Sequence, residues 1–195
     1  MNDQQRNCER TLIDACLRGD SQAFEGLYRR YSRDVYSLAF RMLRSQADAE
    51  EVTQETFLSA YRSLNRFRFD SAFSTWLYRI AMRRITDWLR KHSKRRAATV
   101  SGESDYVFET LPDPHQDGNP RERAAQEEQQ KRLEALISLL DERHRMILLL
   151  RYIHEQSYEE IAQILGCRLG TVKSRLNRAH AMLQQVMEEH PTQFQ

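Results

Sequence analysis

Glycine and proline are scarce in this chain, with 6 and 4 residues among 195. A sequence so poor in chain-breakers and 30% charged suits soluble helices better than strands. It has no run of about 18 or more apolar residues, so nothing is expected to span a membrane. Residues 1–10 are polar and contain no apolar signal segment, so secretion is not expected and a cytoplasmic location is. The three cysteines, Cys8, Cys16 and Cys167, stand far apart in no metal or redox spacing and are expected to be reduced thiols. The six histidines form no H-E-x-x-H pattern. Neither a metal, a cofactor nor a small-molecule substrate is expected.

What is present is segregated charge. The formal net charge is only +2, but residues 48–55 hold four acids (Asp48, Glu50, Glu51, Glu55) and no base. Residues 75–96 hold eight bases against Asp87 alone. Residues 97–120 hold five acids (Glu103, Asp105, Glu109, Asp113, Asp117) and no lysine or arginine. Residues 166–182 hold four bases (Arg168, Lys173, Arg175, Arg178) and no acid. Two basic segments separated by acidic ones point to two nucleic-acid surfaces on one chain.

Apolar spacings of three and four predict a helix over about 20–44, on Phe24, Leu27, Tyr31, Val35, Leu38 and Met42. A second is predicted over 47–64, where Ser45 offers a cap and the acids suit the positive helix end. A third, over 74–92, would bury Leu77, Ile80, Ala81, Ile85 and Trp88. It would set Arg79, Arg83 and Arg90 on the opposite side, with Arg84 nearby. The loop between the second and third helices holds Phe67, Phe69 and Phe73. Over about 93–123 the periodicity vanishes and three of the four prolines fall, which predicts a flexible linker and a domain boundary. From about 122 to 189 the chain is helical again, with breaks near 140, 154–157 and 166–170.

The sharpest pattern is 157–183. Ser157 with Glu160 three residues on is a capping box, so a helix should start at Tyr158. Ile161, Ala162 and Leu165 would face inward, and Gly166 would stop the helix in the left-handed conformation. A second helix would bury Val172, Leu176 and Ala179 and leave Lys173, Ser174, Arg175, Asn177 and Arg178 on its other faces. A small residue at the crossing, a glycine at the turn and an acid-free second helix together form a DNA-binding helix-turn-helix.

The segments DAEEVTQETFLSAYRSL (48–64), FRFDSAFSTWLYRIAMRRITDWLRK (67–91) and SYEEIAQILGCRLGTVKSRLNRAHAML (157–183) resemble, in order and spacing, the extracytoplasmic-function group of bacterial sigma-70-type sigma factors. The likeness covers roughly 12–92 and 124–187. It implies an all-α protein: a sigma-2-like helical bundle at 1–92, a flexible acidic linker at 93–123 that threads the polymerase's RNA channel, and a sigma-4-like helix-turn-helix domain at 124–195. It implies a non-catalytic initiation subunit that binds core RNA polymerase through the β′ clamp helices and β flap. Its other expected partners are promoter DNA and a cognate anti-sigma factor, in this family often membrane-bound, in a stress or envelope response.

Residue by residue, the resemblance implies that Asp48, Glu51, Gln54 and Glu55 dock on the polymerase. It implies that Phe69, Asp70, Ser71, Phe73, Arg79, Arg83, Arg84 and Arg90 recognise and open the −10 element. Phe69 and Phe73 would border a pocket for an unstacked base, although for any single one of these aromatics a core position is the favoured reading. Arg168, Thr171, Lys173, Ser174, Arg175, Asn177 and Arg178 would read the −35 element. Arg168 and Asn177 depart from residues common at those family positions, which bears on promoter sequence rather than on DNA binding. Two rival readings are an autonomous duplex-binding regulator, which would not need the acidic 48–55 face, and a nucleic-acid enzyme, which would need a second carboxylate cluster converging on it.

Overall fold

The computed structural model describes residues 3–99 and 120–189. Residues 100–119, which carry the acids of the expected linker, lie outside them. The described chain holds eight α-helices: α1 Asp3–Leu17, α2 Ser21–Leu43, α3 Gln46–Ser63, α4 Phe73–Thr99, α5 Pro120–Leu139, α6 Glu142–Leu148, α7 Tyr158–Leu165 and α8 Leu169–Glu189. A 3-10 turn, Leu64–Arg66, follows α3, and a π-helical stretch, Leu149–Ile153, follows α6. Among the described residues there is no strand, and no helix is long and apolar enough to cross a membrane.

Local chemistry sets the helix ends. The Asp20 carboxylate accepts the N–H groups of Gln22 and Ala23, at 2.9 and 3.3 Å, and so opens α2. The helix stops at Arg44, whose backbone is left-handed at φ 57. Ser45 caps α3 by accepting the Asp48 N–H, as its position suggested. Asp141 opens α6 by accepting the N–H groups of Arg143 and His144. The sequence did not reveal α1, whose apolar anchors in 8–17 are too few to declare a period. Its Ile13 is nonetheless 1% exposed in the core, and its buried Glu9 accepts a hydrogen bond from the Tyr31 hydroxyl.

Two cores form. One joins α1 to α4 through Ile13, Leu27, Val35, Phe57, Phe73 and Leu77. The other crosses between the two halves of the chain: Leu38 and Met42 of α2 and Met82, Ile85 and Leu89 of α4 pack in one cluster with Leu148, Leu150, Ile161 and Ile164. Helix α4 is therefore buried along two stripes. One apolar face was expected, but Tyr78, Met82 and Leu89 make a second, each at 6% exposure or less. Each fully buried Leu, Ile or Met side chain contributes up to about 1.5–3 kcal/mol. The halves, expected to be held together by a flexible tether, thus also pack directly on each other.

Polar groups pin this seam. Arg41 of α2 and Glu134 of α5 pair at 2.7 Å with side chains only 11% and 8% exposed. Arg44 donates to the Ser138 carbonyl. Arg145 also donates to that carbonyl, at 2.9 Å, and to that of Leu140, at 2.8 Å.

Candidate nucleic-acid interface

The helix-turn-helix forms from the residues that predicted it. Ser157 Oγ accepts the Glu160 N–H while the Glu160 carboxylate accepts the Ser157 N–H, so both sides of the capping box are made. Gly166 closes α7 at φ 61, and the Cys167 N–H returns to the Ala162 carbonyl at 3.0 Å. Ile161, Val172, Leu176 and Ala179 are buried. Ala162 and Leu165 are half-buried, while Ile164, absent from the sequence-based core, is 3% exposed because α7 also meets α4. The second helix begins at Leu169, inside the stretch expected to be the turn.

Lys173, Ser174, Arg175, Asn177 and Arg178 all stand exposed on α8, with Arg168 exposed just before it. Thr171 is half-buried and accepts from Ser174 Oγ at 3.1 Å through its carbonyl. No acid lies in the first turn of α8, so the positive helix end and these cations share one sign. Arg175 and Arg178 also line a cleft of about 650 Å³ together with Asp141, Arg143, Leu165 and Thr86 of α4.

The second basic surface starts at the loop before α4. Phe67 is buried and forms the hub of the ring cluster, 4.8 Å from Phe69, 5.7 Å from Phe73 and 5.3 Å from Trp76. Phe73 takes the core position at 2% exposure, because as the first residue of α4 it packs on Tyr31, so it does not itself border a base pocket. Phe69 is 39% exposed and left-handed at φ 59, an uncommon backbone for an aromatic residue. Asp70 is exposed and Ser71 half-buried. These two line a half-open cleft of about 360 Å³ with Arg66, Arg68, Trp76 and Arg79. Arg66 and Arg68 were not singled out in the sequence, although they interleave with the aromatics there.

Along α4 the cations are not equivalent. Arg83 is exposed, and Arg90 is exposed while pairing with Asp87 at 3.0 Å. Arg84 is held across to α3, donating to Ser59 Oγ at 2.6 Å and lying 3.6 Å from the Glu55 carboxylate. Arg79 reaches the other half of the chain, its Nε donating to the Gln163 carbonyl at 3.0 Å. That carbonyl lies in the last turn of α7, at the negative end of a helix. Arg79 is thereby engaged by the first helix of the helix-turn-helix.

The acidic surface is on α3. Glu51, Gln54 and Glu55 are exposed and Asp48 is half-buried at the helix start. Leu58, 55% exposed, continues the Glu51–Glu55 row one turn on, an apolar position that charge patterning alone passes over. Neither basic surface contains three acid, histidine or cysteine side chains placed to hold a metal, among the described residues.

These surfaces coincide with known families. The description "Sigma-70 region 2" matches residues 27–95, and "Sigma-70, region 4" matches 130–183. The chain is 38% identical over 172 residues to the ECF RNA polymerase sigma-E factor of Salmonella typhimurium, covering 88% of this chain and 90% of that protein. It is 33% identical over 181 residues to the RNA polymerase sigma-H factor of Pseudomonas aeruginosa, covering 92% and 94%. Among solved structures it resembles CnrH, which was determined in complex with the cytosolic domain of CnrY. The TM-score is 0.66 and the identity 25%, over 93% of this chain and 98% of that one.

Proposed function

The chain belongs to the sigma-70 family, in its extracytoplasmic-function group, and we propose from that premise which surfaces carry its promoter-specific initiation of transcription by RNA polymerase. The observation that carries the assignment is α8. A helix locked into a capped hairpin presents Lys173, Ser174, Asn177 and Arg178 as one exposed, acid-free face. A helix of that width enters the major groove, and each good base contact there discriminates by about 1–3 kcal/mol. Residues 124–195 then read the −35 element, with Arg168, Thr171 and Arg175 on sugar and phosphate.

Residues 1–92 take the other tasks. Asp48, Glu51, Gln54 and Glu55 form the acidic face that meets a basic surface of core polymerase. The loop with Asp70 and Ser71 and the cations Arg79, Arg83, Arg84 and Arg90 bind the −10 element. There Phe69 offers the accessible ring for an unstacked base, and Phe73 supports it from the core. Residues 93–123 join the two reading heads. The chain supplies no bond-making chemistry of its own; it positions DNA and polymerase, in the cytoplasm.

The closed seam defines a second state. The −35 and −10 elements lie roughly 25 base pairs apart, about 85 Å of duplex at 3.4 Å per pair. A compact chain of 195 residues has a radius of gyration of only about 16 Å. Closed, it cannot place one head on each element, and Arg79 is tied to α7. The closed form is the unengaged one, and core polymerase and promoter bind the halves apart. A cognate anti-sigma factor that favours the closed form would keep the protein off the polymerase; CnrH, which this chain resembles, was determined in complex with the cytosolic domain of CnrY.

Transcription in vitro tests the assignment. The purified chain is mixed with sigma-free bacterial core polymerase on a library of promoter fragments. Specific transcripts that need the chain support it, and their upstream sequences give the −35 and −10 code. No transcripts, together with tight duplex binding by the chain alone, would make it an autonomous regulator instead.

A further inference from the structure

Phe69 is the exposed outer ring of the cluster centred on Phe67, held in a left-handed backbone conformation that a non-glycine residue adopts only under constraint. Its ring is not bare. The guanidinium carbon of Arg10, from α1, lies 5.1 Å from its centroid. Arg10 itself is exposed, but its helix is anchored on either side of it. Glu9, 4% exposed, accepts from the Tyr31 hydroxyl and lies 3.8 Å from Arg30, and Ile13 is 1% exposed in the core. Helix α1 ends before residue 27, where the likeness to sigma-70 region 2 begins.

From this geometry we propose that Arg10 and Phe69 form a two-sided clamp for one unpaired base of the opened promoter strand, with the ring on one side and the guanidinium plane on the other. The proposal rests on the reading of the 67–73 loop as the −10 element. A guanidinium is planar and weakly hydrated, and it stacks on bases as readily as on aromatic rings. A base in van der Waals contact on both faces needs a gap of about 7 Å, so the present 5.1 Å must widen. The torsions of the Arg10 side chain absorb that change while α1 stays docked. Without DNA the cation closes on the ring itself, which keeps the stacking face formed and poised. The adjoining cleft of about 360 Å³ carries Arg66 and Arg68 beside Asp70 and Ser71. It gives the flanking sugar and phosphate a polar, cationic wall.

The test uses the full chain with core polymerase and promoters carrying 2-aminopurine in turn at each −10 adenine, read as the rise in fluorescence on opening. Arg10→Ala is expected to lower the equilibrium extent of opening roughly three- to tenfold, in the range of a lost stacking partner. Core binding should be unchanged, and the melting temperature of the chain should fall by no more than the loss of one exposed cation–π contact allows. Phe69→Ala should lower opening as well, and the double variant should lose no more than Phe69→Ala alone. Arg10→Lys, which keeps the charge without the plane, should restore only part of the opening. If Phe69→Ala impairs opening while Arg10→Ala behaves as wild type, or if the two losses multiply in the double variant, the clamp is wrong and the loop assignment stands. If neither substitution alters opening, the assignment of the loop falls with it.

Discussion

The hydroxyl of Tyr78, on α4, lies 3.1 Å from Nδ1 of His154, at the end of the π-helical stretch, directly across the seam between the two halves of the chain. The rings meet edge to face at 5.2 Å. Nε2 of His154 is buried without a hydrogen-bond partner. An imidazole so placed stays neutral. Burial first, and the Arg41 cation second, push its pKa down to about 3.

The first prediction is a pH dependence of closure. A histidine whose pKa is depressed in the closed form contributes its full stability above its ordinary value near 6.5 and loses it as pH falls toward 3. Each pH unit below about 6.5 should weaken the closed form by at most about 1.4 kcal/mol. Urea unfolding of wild type and His154→Gln between pH 7.5 and 5 should show the wild type losing stability faster as pH falls. Carboxylates elsewhere titrate equally in both proteins and cancel. Parallel curves would mean that His154 is solvated or protonated in the closed chain.

A second prediction concerns the ion pair at the same seam. Arg41 and Glu134 meet at 2.7 Å with little solvent around either. Removing one partner of such a pair strands a buried charge, which costs about 3–5 kcal/mol, whereas replacing both with apolar groups can be neutral. Glu134→Ala should therefore loosen the two halves, seen as an increased radius of gyration by small-angle scattering. If the closed form is the unengaged one, it should also raise the affinity for core polymerase. Arg41→Met with Glu134→Leu should return the compact radius. Weaker core binding by an expanded Glu134→Ala chain would show that the closed form is the one that binds.

Much of this arrangement was legible in the sequence, and the parts that were not share a physical cause. Ser45, Ser157 with Glu160, and Gly166 are local signals, and each marks the helix end it predicted. Tyr78, Met82 and Leu89 could not be assigned to the core because their burial comes from α5–α8, residues far away in sequence. For Phe73 a pocket and a core position both stood open, because an aromatic beside arginines fits either reading until the backbone shows which way it faces. Arg79 was expected to be a DNA-facing cation, but its bond to the Gln163 carbonyl depends on a helix 84 positions later. Helix α1 escaped notice because Glu9 and Ile13 hold it by contacts with other helices rather than by a periodic face of its own.

The glycines of the helix-turn-helix make a third prediction, in opposite directions. Gly166 sits at φ 61 with no atom within 4 Å of where a Cβ would be, so Gly166→Ala meets backbone strain but no clash. That strain should cost about 1 kcal/mol. Gly170 lies in the first turn of α8 in ordinary helical conformation, also with open space around it. Gly170→Ala should stabilise by about 0.4–1 kcal/mol, chiefly by restricting the unfolded chain. Thermal unfolding of the two variants against wild type decides it. A stabilising Gly166→Ala would mean that the turn is not left-handed in solution.

The last prediction separates the two binding tasks. Arg178 stands exposed on α8, and among the described residues no hydrogen bond or ion pair holds it, so its removal should disturb the fold little. Arg178→Ala should lower transcription from a −35-dependent promoter several-fold, consistent with about 1–3 kcal/mol for a guanidinium on a base edge. Affinity for core polymerase should not change. Charge reversal at Asp48 and Glu51, on the acidic face of α3, should do the opposite, weakening core binding while leaving the helix-turn-helix intact. If the contact is to a base, the Arg178→Ala loss should fall mainly on the preferred −35 sequence. If it is to phosphate, all sequences should weaken alike and the salt dependence of binding should become shallower by about one ion. An Arg178→Ala variant that loses core binding as much as transcription would contradict the division of labour between the two halves.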